Sequence, residues 1–103
     1  MHGYASYAVH YNKMNYKIYI GSNNKTGKLE KAKAIKIVSS DFEGFTTSEA
    51  IGFWKGNQEK SLIVEVETAN HNKLLGCIQK LIKELKQEAI GLAEVPAINF
   101  INA

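Results

Sequence analysis

A chain of 103 residues with a formal charge of +3, 45% hydrophobic and 22% charged residues has the make-up of one soluble globular domain with a modest core. That balance excludes wholesale disorder, and the absence of any long apolar run excludes a transmembrane helix. All thirteen basic residues are lysines, so the side chain best suited to a two-pronged grip on phosphate is missing, and the mild charge falls below that of a dedicated nucleic-acid binder.

Residues 1–13, MHGYASYAVHYNK, read either as an extra edge strand, through the alternation of Tyr4, Ser6, Ala8 and His10, or as an extension ahead of a second start at Met14. They lack the basic and apolar regions of a secretory signal, so the cytoplasm is the expected compartment. His2 and His10 are too far apart for a recognised metal-ligand spacing, and no metal or cofactor is expected. The first firm strand is Asn15–Gly21, with Tyr16, Ile18 and Ile20 on one face and Lys17 and Tyr19 on the other. Ser22–Gly27 is then a polar loop, either a solvated connection or, because it joins a strand to a helix, a place for phosphate.

Lys28 to about Ser40 is expected to be helical, with Leu29, Ala32, Ile35 and Val38 in line and lysines at 28, 31, 33 and 36. At Thr46–Trp54 a capping box, Thr46-Thr47-Ser48-Glu49, competes with strand alternation, and the strand is preferred because Gly52 interrupts any helix. Lys55-Gly56-Asn57-Gln58 should reverse the chain into a second arm at Leu62–Glu67, where Leu62, Val64 and Val66 alternate with Ile63, Glu65 and Glu67. Asn70 is a natural N-cap for a helix from His71 to Ile90, striped by Leu74, Leu75, Ile78, Leu81, Ile82 and Leu85 and closed by Gly91. Glu94–Ile101 completes the list as a strand with Ile98 and Phe100 toward the core, which Pro96, lacking an N–H, requires to lie at an edge or to begin after a bulge.

Strand, helix, strand, strand, helix, strand is the order of a ferredoxin-like α+β sandwich, a four-stranded antiparallel sheet with both helices on one face, spanning 14–103 as a single domain. The residues Gly44-Phe45-Thr46, Gly52, Trp54, Glu59 and Ser61 resemble a G-F-T…G-x-W…E-x-S pattern of small bacterial and phage domains of unknown function, and the long β2–β3 hairpin is similar to the PII/CutA-like group. That resemblance implies assembly as a trimer or dimer and effector binding in clefts near the hairpin. The loop at Lys55–Lys60 is shorter than the group's, and no phosphate-binding Arg or Lys-Gly signature follows it.

The expected function is a non-catalytic, oligomeric binding or regulatory module that takes a nucleotide-like small molecule or a host protein near the hairpin. Its candidate ligand-binding residues are Thr46, Thr47, Ser48, Glu49, Trp54, Lys55, Glu59 and Ser61, a flat apolar platform among hydroxyls and charges, although Trp54 reads more simply as a packing anchor and Glu59-Lys60 as an ordinary turn pair. Lysine, asparagine and isoleucine usage suggests an AT-rich genome such as that of a phage or mobile element. A nucleic-acid module using the helix lysines is the alternative. An enzyme would have to draw on Cys77 with His71, which cannot readily touch along one helix, or on the carboxylates Glu49, Glu65 and Glu67.

Overall fold

The computed structural model describes residues 13–95 and residue 101, without the side chain of Trp54. The expectations for residues 1–12, Ile98 and Phe100 lie outside the described residues. Strand β1 spans Met14–Ile20, helix α1 Lys31–Asp41, β2 Thr46–Trp54, β3 Asn57–Thr68, helix α2 His71–Glu84 and β4 Gly91–Val95. The sheet is antiparallel in the order β2-β3-β1-β4. This is the ferredoxin-like sandwich, with β2 and β3 joined as a long hairpin.

Alternation with period two decides which face the helices cover. Tyr16, Ile18 and Ile20 of β1 and Leu62, Val64 and Val66 of β3 are buried together with Ala34, Ile37 and Val38 of α1 and Leu74, Cys77, Ile78, Leu81 and Leu85 of α2. Thr46–Trp54 is a strand, paired residue by residue with β3 from Glu65 back to Asn57. The turn that joins them is two residues, Lys55 and Gly56, both at positive φ (50° and 79°). Such a turn matches the right-handed twist of its strands, which lets β3 begin at Asn57 rather than Leu62.

Several boundaries move for identifiable reasons. Helix α1 starts at Lys31, not Lys28, because the preceding loop closes on itself, and its buried face is Ala34, Ile37 and Val38 while Ala32 is exposed. In α2 the Asn70 cap is present, its side chain accepting from the Lys73 N–H at 3.0 Å, but Leu75 is exposed and Cys77 occupies the core. The helix ends at Glu84 rather than Ile90: Lys86 takes the left-handed conformation (φ 54°) and the Gln87 N–H turns back to the Ile82 carbonyl. Gly91, expected to cap this helix, instead opens β4 opposite Tyr19. β4 is described over Gly91–Val95, and residues 96–100 of the expected strand Glu94–Ile101, Pro96 included, lie outside the described residues.

Candidate functional site

β1 pairs with β3 only from Leu62 to Thr68, so segment 57–61 and its β2 partners run past the body of the sheet. This projecting arm is about 17 Å long at the usual strand rise. The β1–α1 loop packs beside its base. The Ser22 N–H donates to Glu59 Oε1 at 2.9 Å and the Ser22 hydroxyl to the Lys60 carbonyl at 2.9 Å. From the other side Gln87 accepts from the Gly21 N–H and donates to the Gly21 and Ser22 carbonyls, each at 3.1 Å.

Asn23, buried among these segments, organises the rest of the loop. Its side-chain oxygen accepts from the N–H groups of Lys25 (2.7 Å) and Thr26 (3.2 Å), and its amide donates to Glu30 at 2.8 Å. The Asn23 N–H donates to the Lys28 carbonyl, the Gly27 N–H to the Asn23 carbonyl, and the Lys28 N–H to the Thr26 hydroxyl. The donors that a phosphate-cradling loop would aim outward at 21–23 and 25–28 are thus spent within the chain. An anion here would be met by side chains instead.

A pocket of about 790 Å³ opens between this loop, the start of α1 and the arm. The loop supplies Ser22, Asn23, Asn24, Gly27, Lys28 and Leu29, the helix supplies Lys31, and the hairpin supplies Glu49, Asn57, Gln58, Glu59 and Lys60. Lys31 Nζ lies 3.0 Å from Glu49 Oε2, and that hydrogen bond, with the ammonium charge behind it, holds the Glu49 carboxyl below its ordinary range. Nine of the twelve lining residues carry amides or charges of either sign, and about half of the exposed wall is apolar, Leu29 and side-chain stems included.

Of the sequence-expected residues, Glu49 and Glu59 border this pocket. Thr46 and Ser48 are exposed opposite Glu65 and Ile63, Thr47 is half-buried opposite Val64, and Ser61 is half-buried opposite Ala50. Lys55 sits in the turn, and residue 54 pairs with Asn57 through its backbone. Ser22, Asn23, Lys28 and Lys31 were not in the expected set, since only the tertiary fold brings their segments to the hairpin, and Lys60, within the hairpin, was not in it either. The loop Ser22–Gly27 was the one legible signal, and it read as phosphate or solvent rather than as a wall.

The catalytic alternatives separate in space. Cys77 is fully buried, and its thiol is pushed up to about 11 by burial and by the neighbouring Asp41 carboxylate, while His71 is exposed with its ring 6.2 Å from that of Tyr16. Glu65 faces Lys17 at 3.8 Å on the open side of the sheet, whereas Glu49 stands opposite Leu62 on the other side. Among the described residues no group of three or more His, Cys, Asp or Glu could hold a metal ion, and no helix is long and apolar enough to cross a membrane.

No protein-family model and no curated protein sequence matches the chain. Solved structures do. A DUF3240 family protein from Shewanella baltica OS155 is 14% identical at a TM-score of 0.59, over 87% of this chain and 96% of that one. A phage SAM lyase in its apo state is 14% identical at 0.58, over 85% and 92%. CutA1 from Oryza sativa is 16% identical at 0.48, over 85% and 84%. At such identities the likeness to the first two is one of architecture, and the chain carries the βαββαβ fold that they share.

Proposed function

We propose that this chain is a non-catalytic, oligomeric binding or regulatory module that takes a nucleotide-like small molecule between the hairpin arm and the β1–α1 loop. The observation that carries the reading is the pocket of about 790 Å³, large enough for such a ligand and lined by polar groups of several kinds. Lys28, Lys31 and Lys60 present ammonium groups to a phosphate or carboxylate, Asn57 and Gln58 present amides to a base edge, and Glu49 and Glu59 can meet a cationic centre. The phage lyase of the same fold is named for SAM, a nucleoside-type molecule, which supports this class of ligand. Lysine-only basic usage supports a phage or mobile-element source, and the protein's assembly would be a homo-oligomer.

The nucleic-acid alternative is weakened by where the helix lysines go. Lys33 donates to the Glu84 carbonyl, Lys80 pairs with Asp41, and Lys73 lies over the Phe42 ring. These cations serve the chain's own contacts before they could neutralise phosphates.

Equilibrium dialysis against ATP, cyclic AMP and SAM tests the reading. At least one should be retained at sub-millimolar concentration, and Lys31→Glu should weaken it about tenfold, a loss in the range of one charge-assisted contact. Retention of none of the three would sink the proposal.

A further inference from the structure

We infer that β2 is an interface strand: its free edge pairs antiparallel with the β2 edge of a second copy about a two-fold axis at Gly52. This rests on the oligomeric part of the proposed function and names the surface that would make it.

Among the described residues β2 is hydrogen-bonded to β3 on one side and stands at the margin of the sheet on the other. Sheet margins are usually blunted by lysine, proline, bulges or shortness. This one runs from Thr46 to Trp54 in unbroken register, without proline or lysine, and its single charge, Glu49, is taken up by Lys31. Toward the arm's end it carries Ile51 and Phe53, 57% and 72% exposed. They share one side of the strand, so water meets a continuous apolar step beside open backbone donors and acceptors.

Gly52, between them, is the residue that the chain's own interior does not explain. A Cβ there would meet Ser61 Oγ at 3.6 Å and the Glu59 carbonyl at 3.9 Å, ordinary contacts, and its φ is outside the left-handed region. Glycine in a strand weakens it and marks a place where another backbone comes close. A two-fold axis at Gly52 supplies that backbone, the partner's Gly52 lying directly opposite.

The same axis is self-complementary for the side chains. It sets Ile51 opposite the partner's Phe53 and Phe53 opposite the partner's Ile51, all four on one face, with both helical layers on the same side of a continuous sheet. Moving the axis by one residue toward the N-terminus puts Phe53 against the partner's Glu49. Moving it by one the other way puts Ile51 against the partner's Lys55. Of the neighbouring registers, the one at Gly52 matches apolar to apolar at Ile51 and Phe53 and sets Glu49 opposite the partner's Lys55, the self-complementarity an isologous contact requires.

The test uses the whole chain. Native mass spectrometry and light scattering should give a dimer, and Ile51→Lys with Phe53→Lys should give a folded monomer with unchanged far-ultraviolet circular dichroism. Gly52→Cys should form a disulfide-linked dimer on mild oxidation, because residues opposed in antiparallel strands lie within disulfide range, whereas Thr46→Cys and the wild type, with Cys77 buried, should not. A wild-type monomer at high micromolar concentration overturns both this interface and the oligomeric reading. An oligomer that survives both lysine changes and gives no cross-link at 52 overturns the interface alone. Neither result bears on ligand retention, which the dialysis measures separately.

Discussion

Gln87 holds the ends of two elements with one side chain. Its amide accepts from the Gly21 N–H and donates to three carbonyls, those of Gly21, Ser22 and Leu85, at 3.1 to 3.3 Å. Gln87→Leu keeps the volume and strands those part-buried backbone groups, so chemical denaturation should show a loss of about 2 kcal/mol. Asp41 offers a pH readout. Its carboxyl is held below the ordinary carboxylate range, first by the Lys80 ammonium 2.7 Å from Oδ2 and then by the Cys77 thiol and the Lys73 charge, against the opposing effect of burial. A depressed folded-state pKa contributes stability that is present above the unfolded value of 3.8 and lost as pH falls through the folded one. Asp41→Asn should therefore flatten the fall in stability below about pH 4 while changing its slope little near neutrality. Cys77 titrates in the opposite sense: with its thiol raised to about 11, it should resist a disulfide reagent at pH 8 in the native protein and react at once in denaturant.

At the scale of elements, α2 supplies most of the helical share of the core. Leu81 is fully buried beneath it, and Leu81→Ala should cost about 3 kcal/mol, the transfer loss plus a residual cavity, seen as a lower midpoint in urea. How legible these elements were depended on whether local pattern and tertiary contact agreed. Tyr16, Ile18, Ile20 and Leu62, Val64, Val66 were readable because a half-covered sheet forces alternation at period two. The end of α2 was not, because Leu81, Ile82 and Leu85 carry helical spacing to the helix end while Lys86 leaves it in a conformation that lysine does not advertise. Leu75 fits the same stripe yet stays exposed, since the single sheet face is filled by Leu74, Cys77, Ile78 and Leu81. The pocket was the least readable feature. Glu49 and Glu59 came from the hairpin's composition, but Lys31 of α1 meets Glu49 only through the tertiary fold, with Ser22 bound to β3 beside them.

For the molecule as a whole, a ligand that binds only the folded state should stabilise it by mass action. At a hundredfold excess over Kd the gain is about 2.7 kcal/mol, on the order of 10 °C in Tm for a chain of this size, readable by differential scanning fluorimetry across the nucleotides used in dialysis. The net charge distributes unevenly over this scaffold. The segments 28–43 and 71–90 hold eight of the thirteen lysines, so a Lys-rich helical layer lies behind strands that carry five acids and two lysines. The loop closed by Asn23 has one more effect, on the thermodynamics of binding. Because its backbone donors are already engaged, entry of the proposed ligand would demand no ordering of that loop's backbone, and the protein's share of the motional freedom surrendered would come from exposed side chains.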